Sequence, residues 1–427
     1  MSLCSEKIDE ALKLCVSRKK PVYLELPCNL VTEAVPRPEP VRMIPEVPIL
    51  PVSDEVSLEC ALRAICDAVD GAERVLLVAG PKLRTANAID NFAKLAETLG
   101  CCVTVTPDAK SMFDEYNENF LGYYWGPISN RNVKTAMKEA DLIIFCGAMF
   151  SDYVTVGWTA PIPYEKSIII ALDHVHVQKR RFSYIFLSTV ISRLCGCLSK
   201  KGNFLQGRIE EVSTTGQEKS SSSRATPDTL QLGFIQDELQ FNVGSGKYTS
   251  VVAETGDSWF IAEKLKIPGD TNFFIQMQYG SIGWALAACL GVGLVTKELG
   301  GNKVLALIGD GSFQVAVQEL STIIEEDLDV TIIVMNNASY AIEEQINPGV
   351  YNQVVNWKYA ELIKVFGGGE PLARSFVCET NEDFKKALAE SYEHSGVSLV
   401  ECRIDKNDCT MELREWGEKV AAANQRA

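Results

Sequence analysis

The chain has 427 residues, with 41 Lys plus Arg against 56 Asp plus Glu, for a net charge of −15. So acidic a chain repels a phosphate backbone, which excludes nucleic acid as a main partner. Its composition, 46% hydrophobic and 23% charged, excludes global disorder, and at about 100–200 residues per domain the length suggests two or three domains.

The longest strictly apolar run, Ile282 to Val295, has 14 residues rich in Gly and Ala. A membrane span needs about 20, so the run reads as a buried helix. The N-terminus, MSLCSEKIDEALK, carries no apolar signal core. None of the 14 Cys sits in a CxxC. They read as reduced, mostly buried thiols of a cytoplasmic protein. The three histidines, His174, His176 and His394, leave little material for a His-based zinc site or a catalytic triad. His174 and His176 read as surface residues.

In chain order, Glu6 to Arg18 has apolar positions at Ile8, Leu12, Cys15 and Val16, a helical period, and Val22 to Leu26 reads as a strand. One helix and one strand leave bare edges and do not make a domain. Val35 to Pro51 holds six of the 17 prolines and reads as an extended linker. Then short apolar runs, Arg74–Gly80, Cys101–Pro107, Asp141–Ala148 and Ser167–Asp173, alternate with helical stretches such as Ala86–Leu99. Strands of this kind predict a parallel sheet covered on both faces. A polar segment, Lys200 to Asp228 with four serines at Ser220–Ser223, reads as a second linker. The alternation resumes with strands at Thr249–Thr255, Lys303–Gly309, Val330–Asn336 and Ser398–Asp405, and the chain closes on a charged helix from Met411 to about Ala423.

In open parallel sheets, ligands collect beyond the carboxyl ends of the strands. Three strands of the last domain end there in polar clusters: Glu254-Thr255-Gly256-Asp257, Gly309-Asp310-Gly311-Ser312 and Asn336-Asn337-Ala338-Ser339. Asp310 and Asn337 lie 27 residues apart, separated by a predicted helix from Phe313 to Asp327. A strand–helix–strand crossover returns the chain near its start, and neighbouring strands are about 4.8 Å apart. A carboxylate and an amide oxygen so placed can share one hard cation such as Mg²⁺, which completes its shell with phosphate oxygens and water. Gly311 and Ser312 open the crossover helix, whose first N–H groups suit those phosphates.

These segments resemble the thiamine-diphosphate enzymes, and within them the pyruvate decarboxylase family. The resemblance rests on ETGDSWF (Glu254–Phe260), MQYGSIGWA (Met277–Ala285), GDGSFQ (Gly309–Gln314), NNASYAIEE (Asn336–Glu344) and YNQVVNWKYAEL (Tyr351–Leu362). YYWGPIS (Tyr123–Ser129) and the early stretch KKPVYLELPCNL add to it. It implies an α/β fold of two doubly wound parallel-sheet domains, a central Rossmann-like domain and a diphosphate-binding domain, plus an N-terminal αβ remnant. The boundaries expected are residues 1–34 for the remnant of a pyrimidine-binding domain, 35–52 for a Pro-rich linker, 53–200 for the central domain, 201–228 for a polar linker and 229–427 for the diphosphate domain.

The resemblance also implies the cofactors, thiamine diphosphate and Mg²⁺, and the site. Asp310 and Asn337 would bind the metal through side chains and Ser339 through its carbonyl. Gly311, Ser312 and Asp257 would contact or orient the diphosphate. The Gly280 carbonyl would accept a hydrogen bond from the cofactor's amino group, and Ile282, stiff at χ1, would bend the cofactor. Ser281, Gly309, Tyr340 and Ile342 complete the cofactor-binding set. Thr255 would lie by the thiazolium, and Glu343 would be the acid over the substrate carboxylate, with its pKa raised by burial. The reaction implied is non-oxidative decarboxylation of a 2-oxo acid, pyruvate to acetaldehyde and CO₂, through the cofactor's ylid.

Three departures stand out. Ala338 follows the Asn pair where Gly is expected, Ala341 stands where Thr is usual, and QINPGVYN replaces an acidic stretch. A larger one is the lack of a His-His dipeptide. In the family, that pair comes from the pyrimidine-binding domain, which also supplies a Glu that drives ylid formation. The chain is therefore expected to lack most of that domain and to be incomplete alone. Its partners would be a small 2-oxo acid and either copies of itself in a homo-oligomer or a full-length homologous chain, with no membrane. The alternatives are an acetolactate synthase-like carboligase and a non-catalytic truncated paralogue serving as an assembly subunit.

Overall fold

The computed structural model describes residues 4–18, 20–34, 52–160, 162–202, 205–207, 229–367, 369 and 371–425. Most of both expected linkers lies outside the described residues.

The first sheet is built from β1 (Val75–Ala79), β2 (Cys102–Val105), β3 (Phe120–Tyr123), β4 (Leu142–Cys146), β5 (Ser167–Ile170), β6 (His174–Val177) and β7 (Arg180–Ser183). Its strand order is β3-β2-β1-β4-β5-β6-β7. The first five strands are parallel, and β6 and β7 extend the edge antiparallel. The parallel strands β1, β2, β4 and β5 are buried throughout, which explains their unbroken apolar sequence. Helices Glu55–Asp70, Ile89–Leu99 and Leu187–Cys197 cover one face of this sheet, and helix Arg131–Glu139 covers the other.

The second sheet is parallel throughout, in the order β12-β13-β11-β10-β8-β9. Its strands are β8 (Tyr248–Ala253), β9 (Asn272–Ile275), β10 (Lys303–Gly309), β11 (Val330–Asn336), β12 (Ala373–Cys378) and β13 (Val397–Arg403). The two bodies share a core in which Trp125 stacks on Phe260 with centroids 4.7 Å apart and Tyr153 stacks on Trp416 at 5.9 Å. A buried Lys110–Glu115 ion pair of 2.8 Å sits beside that core, and Glu115 also accepts the Ile267 N–H.

Several sequence expectations need correction. Residues 22–26 form no strand: no described strand lies beside them to pair with, and Tyr23 and Leu26 are exposed. The crossover after β10 is two short helices, Asp310–Val315 and Glu319–Glu325, rather than one helix over 313–327. The apolar run becomes helix Trp284–Glu298, but it buries one face only. Ala285, Leu286, Cys289 and Gly293 face the core, whereas Leu294 and Val295 are exposed. Among the described residues no helix is long and apolar enough to cross a membrane. Six of the 14 cysteines are buried and three are exposed, so the thiols are less buried than their apolar neighbours suggest. His174 and His176 are half-buried on β6, ring against ring at 5.2 Å.

Candidate functional site

β8, β10 and β11 are neighbours, with Ala253 in register with Leu307 and Gly309 with Met335. Their carboxyl ends therefore stop at the same level, and the three polar clusters open onto one cleft. Thr255, Asp257, Gly309, Asp310, Gly311 and Ser312 line it from β8 and β10. Asn337, Ser339, Tyr340 and Ile342 line it from β11, and Ile282 reaches it from the loop after β9. Gly280, Ser281 and Glu343 do not line it.

Asp310 is the centre. It is 1% exposed, its Oδ1 accepts from Gly311 N at 2.8 Å and its Oδ2 from Ala338 N at 2.7 Å. Burial pushes its pKa up to about 6, against the pull of those N–H donors. Among the described residues no basic side chain pairs with it. A buried carboxylate without a countercharge, next to an amide oxygen at Asn337, is an all-oxygen set suited to a hard cation. The two asparagines divide the work. Asn336 is buried and donates to Glu401 Oε1 and Asn356 Oδ1, both at 2.9 Å. Asn337 takes the cleft, and its Oδ1 accepts from Ser339 N at 3.1 Å.

The Ala338–Tyr340 turn is braced by the 352–354 segment: Tyr340 N donates to Asn352 O at 2.9 Å and Val354 N to Ala338 O at 3.0 Å. Gly311 is required here, since a Cβ on it would sit 2.3 Å from Tyr340 Cε1. Ser312 Oγ donates to Thr255 O at 3.5 Å, while Thr255 Oγ1 is buried without a partner among the described residues. Asp257 is committed elsewhere than the diphosphate. Its carboxylate accepts Thr410 N at 2.9 Å and the Thr410 hydroxyl, which anchors helix Met411–Asn424 beside the cleft. Burial raises its pKa to about 6, opposed by those bonds.

Glu343 lies on helix Ala341–Ile346 and is exposed, so the burial expected of it is not there. Gly280 takes φ 58° and packs under Tyr153, whose Oη would lie 2.8 Å from a Cβ at that position.

Glu254 is a residue to which sequence reasoning gave no role. It is buried, and its carboxylate accepts Thr255 N at 2.9 Å, Gly283 N at 3.1 Å and Ala285 N at 2.9 Å. Burial raises its pKa against those bonds. It ties the end of β8 to the start of helix Trp284–Glu298 and so sets the 280–283 loop. Its signal in the sequence is a Glu at a strand end, three residues before Asp257.

Residues 62–192 match the thiamine pyrophosphate enzyme central domain, and residues 254–402 match the C-terminal TPP binding domain of the same enzymes. The chain is 34% identical over 426 residues to a pyruvate decarboxylase of Neurospora crassa, covering 98% of this chain and 72% of that one. It belongs to the thiamine diphosphate-dependent pyruvate decarboxylase family. A second member, pyruvate decarboxylase 2 of Pisum sativum, is 34% identical over 95% of this chain and 99% of its own length. A solved structure from Mycobacterium smegmatis, described as a thiamin diphosphate-dependent enzyme, aligns with TM-score 0.59 at 20% identity. That alignment covers 81% of this chain and 64% of the other, and it shows the shared α/β fold. Thiamine diphosphate-dependent decarboxylation of a 2-oxo acid is the chemistry of the pyruvate decarboxylase family.

Proposed function

We propose that this chain carries the diphosphate and metal half of a decarboxylase whose substrate is pyruvate, released as acetaldehyde and CO₂. The observation that carries this reading is the convergence of β8, β10 and β11 on the buried, uncompensated carboxylate of Asp310. When bound, thiamine diphosphate supplies the electron sink that lets a 2-oxo acid lose CO₂. Asp310, Asn337 and the Ser339 carbonyl would hold Mg²⁺, which would in turn bind the diphosphate. Gly311 and Ser312 receive the diphosphate, with Gly309 giving it backbone clearance. Asp257 acts at one remove, by fixing Thr410.

The Gly280 carbonyl and Ser281 meet the aminopyrimidine side, Ile282 wedges the cofactor, and Tyr340 and Ile342 wall the cleft. The partnerless Thr255 hydroxyl meets the thiazolium side. Glu343 holds a proton for the reacting substrate once its face is covered and dry.

That cover comes from a second chain, a copy of this one or a full-length homologue. Tyr279 is 72% exposed, Val315 53% and Ile282 39%, an apolar rim that a partner would bury. The setting expected is cytoplasmic.

The test incubates the purified chain with thiamine diphosphate, Mg²⁺ and pyruvate, alone and mixed with a full-length homologue. The reading expects no acetaldehyde from the chain alone and turnover in the mixture. Rapid acetaldehyde release by the chain alone contradicts the need for a partner. Acetolactate as the product would move the assignment to carboligation. Co-purification with the homologue without any turnover would make the chain an assembly subunit.

A further inference from the structure

The first sheet carries a thiol pair that the decarboxylation site does not use. Cys66 lies on helix Glu55–Asp70, and Cys197 is the last residue of helix Leu187–Cys197. The two helices pack together through Leu62, Ile65, Val190 and Leu194. This brings the two sulfurs, 131 residues apart in sequence, to 3.2 Å. We propose that Cys66 and Cys197 are a reversible disulfide site, oxidised by a low-molecular-weight disulfide of the glutathione class.

Three observations support it. First, the gap to a bond of about 2.05 Å is roughly 1.2 Å, and Cys197 stands where its helix ends and Leu198 turns to extended backbone. Closure therefore needs only a small shift of a helix terminus. Second, Cys197 is exposed and Cys66 partly so, whereas Cys378 and Cys402, side by side on β12 and β13, are buried beyond reach of a reagent. Third, the pair is asymmetric in access: the Cys197 sulfur is open to a reagent from solvent, whereas Cys66 is half-buried on its helix, and burial holds its thiol up, so Cys197 is the first to react.

The step balances as a two-stage exchange. The Cys197 thiolate attacks one sulfur of the reagent, its S–S bond breaks, and one thiol leaves. Cys66 then gives up its proton and attacks the Cys197 sulfur of the mixed disulfide, and the second thiol leaves. Two electrons and two protons pass from the protein to two reagent thiols, and one S–S bond replaces another.

The test treats the folded full chain with glutathione disulfide, blocks remaining thiols with N-ethylmaleimide and maps peptides by mass spectrometry. The expected product is a Cys66–Cys197 linked peptide, about 2 Da lighter than the two reduced peptides together and released by dithiothreitol. Oxidation is expected to raise the melting temperature by roughly 5 °C or more. Cys66→Ser should trap a glutathione adduct at Cys197, while Cys197→Ser should leave Cys66 without one. Cys60, exposed on the same helix as Cys66, reports on ordinary thiol reactivity. Separate adducts or maleimide labels on both Cys66 and Cys197 in the unmutated chain overturn the proposal, as does a link between any other pair.

Discussion

Asp310 Oδ2 accepts the Ala338 N–H at 2.7 Å, joining the end of β10 to the turn that follows β11. This bond holds the carboxylate beside Asn337, and it requires Ala338 to turn its amide inward at φ 54°. An L-residue in that left-handed region is strained by about 1–2 kcal/mol, and the strain is only partly offset by the lower entropy Ala has relative to Gly when unfolded.

Ala338→Gly is therefore expected to stabilise the chain by about 0.5–1 kcal/mol, read as a higher denaturant midpoint with an unchanged slope. A lower midpoint would mean that the turn is not strained as its φ implies.

Glu254 is expected to act through the backbone it holds. Glu254→Ala leaves the Gly283 and Ala285 amides unpaired and should cost about 2–3 kcal/mol. It should also make the 280–283 loop more susceptible to limited proteolysis. Glu254→Gln, which keeps one acceptor, should fall between the two proteins.

The strand ends were legible because continuously apolar runs ending in GD and NN admit few other placements, and β10 and β11 match their sequence runs residue for residue. The edges were not. β3, β6 and β7 are short and only partly buried, and HVHV and RRFS carry too little apolar signal to mark strands. The burial expected of Glu343 was not legible for a different reason: burial depends on what packs over a residue, and nothing in the spacing of NNASYAIEE encodes that.

Glu263 is buried where the two bodies meet, and its carboxylate has no hydrogen-bond partner among the described residues. Burial holds its pKa well above the usual range, with Lys110 pulling down and Glu115 and Asp108 pushing up. A folded-state value above the unfolded one means that the native chain binds this proton more tightly. The resulting stability is full below about pH 4.5 and is lost as pH rises through the folded value. Glu263→Gln removes that dependence. Its denaturant midpoint should gain on that of the unmutated chain as pH rises from about 5 to about 8. Asp257, which is present in both proteins and is not among the groups acting on Glu263, cancels in the comparison. A constant difference between the two across that range would mean that Glu263 does not titrate there.

A metal held by Asp310 and Asn337 that in turn holds a diphosphate would make cofactor binding depend on Mg²⁺. Isothermal titration of thiamine diphosphate into the purified chain, in Mg²⁺ and again in EDTA, tests this most directly. The expected result is saturable binding in Mg²⁺ that is lost in EDTA and weakened on the order of 100-fold by Asp310→Asn, with circular dichroism showing the variant folded. Equal binding with and without Mg²⁺, or an affinity unchanged in folded Asp310→Asn, would contradict it.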